Sequence, residues 1–161
     1  MSVNIFYLDP NPRICASYHC DKHVVKMILE YAQLLSTAHR IIEPNNVVWQ
    51  DTVGLYKATH VNHPCAIWVR ESSWHYEWLL NLLDELCNEF HIRYGHWHKT
   101  TAMLDVLCCI PHIDEDCFVA PPQCMPDDCK HKSTVEAYRN YYRMQKRAIA
   151  QWKTSTPEWY I

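Results

Sequence analysis

The chain has 161 residues, 48% of them hydrophobic, with seven Trp and ten Tyr, enough apolar mass for one domain with a sizeable core. Gly occurs only twice, at Gly54 and Gly95, which disfavours an all-β fold, a P-loop and a dinucleotide fingerprint. A formal charge of −3 and a pI near 6.4 argue against a chain that is basic throughout and leave room for a local basic face.

In chain order, Ser2 to Leu8 (SVNIFYL) reads as a short strand or an extended arm. A long helical region runs from Asp9 to Ile42, with Asp9 and Pro10 as its start and a break near His19–Asp21, where Cys20-Asp21 acts as a second cap. Val24 to Leu35 is apolar at nearly every position. One polar line crosses it: His19, His23, Lys26, Glu30 and Gln33 follow at helical spacing and share a face. Glu43-Pro44-Asn45-Asn46 ends the helix, because the residue before Pro avoids the helical region. Val47 to His63 is expected to be irregular.

Asn62-His63-Pro64 opens a second long helix, which runs to Tyr94 and closes at Gly95. Ala66, Ile67, Trp74, Trp78, Leu82 and Leu86 mark its apolar side, and Arg70, Ser73, Glu77, Asn81 and Asp84 its polar side. Lys99 to Cys109 is a third, shorter helix. Ile110 to Lys132 carries four Pro and an acidic cluster and is expected to be a long ordered loop. Ser133 with Glu136 forms a capping box for a fourth helix reaching Trp152. The aromatic tail TSTPEWYI is expected to dock on the body. The reading is one all-α domain over residues 1–161: a compact helical bundle with two long central helices and a long Pro-rich loop. No run is long enough to span a membrane and no secretion signal opens the chain, so a cytoplasmic location without a membrane partner is expected. The oligomeric state is not legible.

Four groups of residues carry candidate chemistry. An apolar helix does not bury Lys, Glu and two His on one face without a reason, because each unpaired charge costs several kcal/mol. The line His19, His23, Lys26, Glu30 is therefore either an acid–base site or an internal ion-pair network, with Glu30 paired to Lys26 or to Arg70. The second helix offers His60, His63, Trp68, Arg70, Trp74 and His75 as a wall for a planar ligand, with the alternative that its Trp residues are core. The last helix presents Arg139, Arg143 and Lys146 on one face, a candidate phosphate-contacting surface or an ordinary solvated face. Nine Cys is an odd number at irregular spacing, which speaks against a disulfide framework. Cys15, His19, Cys20 and His23, like Cys117, Cys124, Cys129 and His131, lack the paired spacing of a zinc site, so neither a metal nor a cofactor is expected.

CDKHVVKMILEYAQLL and NHPCAIWVRESSWHYEWLLNLLDELCNEFHIRYG, taken together, resemble the pyrimidine-dimer DNA glycosylase (phage endonuclease V) family and its small phage and bacterial relatives. Asp21, His23 and Glu30 match the family's Asp-x-His followed by the catalytic Glu. Asn62-His63-Pro64, Arg93-Tyr94-Gly95 and the Pro157–Tyr160 tail are also similar. The resemblance implies a compact helical fold and chemistry on damaged or modified pyrimidines in DNA: an N-terminal α-amine attacks sugar C1′ to form a Schiff base, and the Glu supports glycosyl cleavage and strand scission. Two departures accompany it. The N-terminus lies about seven residues further upstream of the Asp-x-His, and Leu29 and Gln33 stand where the family enzyme has DNA-gripping Arg. The Glu position carries over and the nucleophile does not, leaving Lys22 or Lys26 as replacement amines. The expected catalytic residues are Glu30, His23 and Lys26; the expected substrate contacts are His19, His63, Arg70, Trp74, Glu77, Arg139 and Arg143. The alternative is a non-catalytic nucleotide or nucleic-acid binder of viral origin, acting in an infected cell.

Overall fold

A computed structural model describes residues 3–161; Met1 and Ser2, the first residue of the expected arm, lie outside the described residues. Among those described, the regular structure is helical throughout: α1 (Pro12–Tyr18), α2 (Asp21–Ile42), α3 (Val47–Thr52), α4 (Pro64–Glu71), α5 (Ser73–Tyr94), α6 (Leu104–Leu107) and α7 (Thr134–Gln145), with short 3-10 turns between. The all-helical, compact architecture agrees with the sequence reading. The long helices α2 and α5 pack on each other, with α1 and α4 against them.

Val3–Leu8 is an extended arm, buried along its whole length. It pairs with side chains and not with another strand. The Phe6 N–H donates to the Tyr31 hydroxyl (3.2 Å), Asn4 Nδ2 donates to the Cys124 carbonyl (2.8 Å), and the Tyr138 hydroxyl donates to Asn4 Oδ1 (2.8 Å). The arm is thereby held between α2, α7 and the Pro-rich loop.

Helix boundaries differ from expectation in four places, each for a local reason. The first helix begins at Asn11-Pro12, not Asp9-Pro10: Asn11 Oδ1 accepts the N–H groups of Arg13 and Ile14, while Asp9 Oδ2 accepts that of Asn11 itself. The second long helix is two helices, because Ser72 is extended (φ −147°, ψ 140°) and caps α5 through the Trp74 N–H. Val47–Thr52 is helical where an irregular stretch was expected. The last helix stops at Gln145, and the following segment forms turns. The expected break at His19–Cys20 is present, as is the left-handed Gly95 (φ 77°) that ends α5.

That break is clamped from α5. The Arg93 side chain has no solvent exposure. Its guanidinium donates to the carbonyls of His19 (2.8 Å) and Ser17 (3.0 Å) and pairs with Asp21 (3.1 Å) and Glu89 (2.9 Å). Asp21 also accepts the Lys153 N–H at 3.0 Å, so the acid of the Asp-x-His fixes the start of α2 to the C-terminal segment. The tail docks as expected: Pro157 is buried, and the Trp159 ring lies under Arg139 and Arg143.

Candidate active site

Glu30 sits midway along α2, where the apolar side of the helix turns toward solvent. Its carboxyl is half-buried, and desolvation pushes its pKa up against the opposing pull of Lys26 and His60. Lys26 Nζ lies 4.0 Å from Glu30 Oε1, one turn away, with its side chain 53% exposed.

Two openings meet at this carboxylate. A small cavity of about 40 Å³ is walled by Glu30, Gln33, Leu34, Val3, Thr59 and His60. A larger, mainly apolar groove of about 420 Å³ runs over Val25, Leu29, Glu30 and Gln33 and is rimmed by Lys26, His98 and Lys99. The arm thus brings Val3, the first described residue, to Glu30. The extra residues upstream of the Asp-x-His are taken up by the arm and α1 and do not carry Val3 away from the carboxylate. Around one carboxylate the two openings gather four groups that are or can become cationic: Lys26, His60, His98 and Lys99. His60 holds a left-handed backbone (φ 50°), sparsely populated for a residue with a β-carbon, and its ring bonds to Thr59 Oγ1 at 2.9 Å.

His23 lies one helical step before Lys26. Its ring is 5% exposed, stacks on Phe6 at 4.2 Å, and meets the Tyr142 hydroxyl through Nδ1 at 2.6 Å. That hydroxyl accepts the Cys20 N–H (3.2 Å), so its own proton points at Nδ1. Burial, aided by the charges of His19, Lys146 and Lys26, pushes the His23 pKa down to about 2. The ring is neutral, and a phenol proton directed at Nδ1 assigns the remaining ring proton to Nε2; the ring borders neither opening.

The remaining expected residues separate from this site. His19 is fully enclosed: Nδ1 donates to the Cys15 carbonyl (2.8 Å), Nε2 meets the Tyr31 hydroxyl (2.7 Å), and burial lowers its pKa to about 4. Both nitrogens are used inside the protein, so it supports the arm and has none to offer a substrate. Arg139 Nε donates to the Leu8 carbonyl (3.0 Å) and Arg143 Nε to the Trp159 carbonyl (2.9 Å). Arg139 also pairs with Asp9, and both pair with Glu136. Arg139 and Arg143 of the expected phosphate-contacting face of α7 are therefore committed to internal partners: the Trp159 ring of the tail stacks on both, the tail backbone takes Arg143, and the arm takes Arg139. Trp74 and Glu77 are exposed at the N-terminal end of α5, where Ser73 N–H bonds to the Glu115 carbonyl of the Pro-rich loop, and neither borders the two openings. Arg70 ends α4 with its Nη1 buried and unpartnered; it does not pair with Glu30. His63 caps α4 by accepting the Cys65 N–H at 3.1 Å.

Val3, Thr59, His98 and Lys99 were not singled out as site residues, and His60 was read as part of a separate ligand wall with His63 and Arg70. His60 and Thr59 stand in a segment without periodicity, and His98 and Lys99 start a 3-10 turn. Only tertiary folding brings them to Glu30.

No curated protein and no solved structure matches the chain. A family model described as pyrimidine dimer DNA glycosylase matches residues 3–103, from the arm through α5 and the turn bearing His98 and Lys99. That span covers well over half of the chain and includes every residue that borders the two openings at Glu30. The chain belongs to the pyrimidine dimer DNA glycosylase family.

Proposed function

We propose that this protein is a DNA glycosylase with an associated abasic-site lyase step, acting on damaged or modified pyrimidines, with Glu30 as its acid–base residue. One observation carries the reading. A half-buried carboxyl of raised pKa stands where a groove fit for a base and sugar meets a cavity walled by the first described residue of the chain.

The chemistry follows from what these groups can do. An unprotonated amine attacks sugar C1′; the C1′–N bond breaks, and the base leaves with the electron pair and takes up a proton. The attached nitrogen loses a proton and the C1′–O4′ bond breaks, O4′ taking up a proton to become a hydroxyl; the ring-opened iminium (Schiff base) so formed acidifies the C2′ hydrogen. Glu30, its basicity raised by desolvation, removes that proton, and the 3′ phosphate leaves by β-elimination. Water then hydrolyses the iminium and frees the amine. Lys26, His98 and Lys99 rim the groove as phosphate partners.

For the amine, we favour an N-terminal α-amine over Lys26, on the support that Val3, the first described residue, walls the cavity at Glu30. An α-amine has an ordinary pKa near 8, so a useful fraction is unprotonated. A Schiff-base lysine is activated by desolvation, and the Lys26 side chain is 53% exposed. Borohydride trapping on duplex DNA carrying an abasic site or a pyrimidine dimer tests both points. An adduct mapping to the N-terminal peptide supports the assignment, and one on Lys26 moves the nucleophile. Binding without any adduct or strand break favours the non-catalytic reading.

A further inference from the structure

We propose that His63, Cys65 and Cys124 form a three-residue site for a zinc ion. One ring nitrogen of His63 and the two sulfurs lie within 4.8 Å of one another, the only such group of three among the described residues. The sulfurs are 3.8 Å apart. Two thiolates on a tetrahedral zinc, each about 2.3 Å from the metal, stand about 3.8 Å from one another. The pair is thus already spaced as zinc would hold it, and is far longer than a disulfide of about 2.05 Å.

The donor set suits the metal. Two sulfurs and an imidazole match zinc's preference, and three protein ligands leave a fourth position for water. Cys65 is fully buried, while His63 and Cys124 are partly exposed, so an ion has a path in. Zinc binds thiolates, so uptake of the ion releases thiol protons. The lone pair with which His63 caps Cys65 N–H is a weak bond that coordination can replace.

The ligands come from two segments, the head of α4 and the Pro-rich loop, that no disulfide joins. His63 is the cap of α4, Cys65 its second residue, and Cys124 belongs to the Pro-rich loop. Asn4 of the arm donates to the carbonyl of Cys124 itself. Thr59 and His60, which wall the Glu30 cavity, lie a few residues before His63. A metal here would fasten the loop and the head of α4 around the arm. The sequence conceals the site because Cys65 and Cys124 are 59 positions apart, and the neighbours first grouped with Cys124 do other work: Cys129 packs on Met144, and His131 Nδ1 accepts the Ser133 N–H.

The test uses the full chain, purified under reducing conditions, stripped with a chelator and titrated with Zn²⁺ or Co²⁺. The expected result is one metal per chain, a higher melting temperature with Zn²⁺, and a Co²⁺ spectrum with thiolate-to-metal charge-transfer and tetrahedral d–d bands. Cys124→Ser should lose the charge-transfer intensity of one thiolate. His63→Asn, which retains a capping side chain, should weaken binding by about tenfold or more. Absence of metal uptake, a wild-type Co²⁺ spectrum without thiolate bands, or equal uptake by Cys124→Ser would overturn the proposal. So would recovery of Cys65 and Cys124 as a metal-free disulfide. The wild-type spectrum decides the matter even if a variant does not fold.

Discussion

Tyr142 on the last helix holds the imidazole of His23 on α2 through a 2.6 Å hydrogen bond, although 119 positions separate them. The same hydroxyl accepts the Cys20 N–H at the start of α2. One phenol therefore ties the N-cap residue of α2 to the imidazole one turn further on. Tyr142→Phe leaves a buried donor and a buried acceptor unpaired, each costing about 1–3 kcal/mol. Denaturant unfolding should show a loss in that range, while Tyr141→Phe, at a partly exposed position, should change stability much less.

Arg93 makes the sharper stability prediction. Its side chain is fully enclosed and serves two carbonyls and two carboxylates across the α1–α2 break. Removing it with Arg93→Ala strands Asp21 and Glu89 and should cost about 3–5 kcal/mol. Arg93→Lys should recover little, because an ammonium cannot reproduce the guanidinium fork. A large drop in melting temperature for both variants is the expected outcome.

The buried histidines predict an acid-sensitive fold. Folded His19 and His39 have pKa values lowered to about 4, and His23 to about 2, from an ordinary 6.5, each chiefly by desolvation. Below pH 6.5 the unfolded chain takes up protons that the folded chain refuses, so stability is full above that pH and falls as the pH drops toward 4. Glu30 acts in the opposite sense, its raised pKa favouring the folded state at low pH, but it is one group against three. At about 1.4 kcal/mol per pK unit, acidification from pH 7 to about pH 5 should cost several kcal/mol. Melting temperatures across that range check it, and His39→Phe should flatten the profile.

Salt dependence of DNA binding separates the groove from α7. Lys26→Ala and Lys99→Ala should each weaken duplex binding and reduce the slope of log K against log salt by about one. Arg139→Ala should leave the slope unchanged and lower stability, because its guanidinium is spent on Leu8, Asp9 and the Trp159 ring.

The sequence made the architecture legible where a single physical signal acts over many residues. The apolar run of α2, the Ser133 capping box and Gly95 each point to an element that is present. Ser72 is harder to read, because a serine amid helix-compatible neighbours gives no local sign that it turns extended. Glu30 stood out as a carboxylate in an apolar helix, with Lys26 and Gln33 on its face. Val3, His98 and Lys99 did not, and His60 was grouped elsewhere, since they reach Glu30 through an arm, a turn and a loop whose paths no periodicity encodes. Arg139 and Arg143 show the converse: a cationic helical face is visible in sequence, but the tail that consumes it is not.

The central claim is that Glu30 carries the acid–base step, and single-turnover incision of abasic duplex DNA by Glu30→Gln tests it most directly. The amide keeps the shape and removes the basicity, so incision should fall by about a hundredfold or more, with melting temperature and DNA affinity near wild type. Incision by Glu30→Gln within a few-fold of wild type would contradict the account.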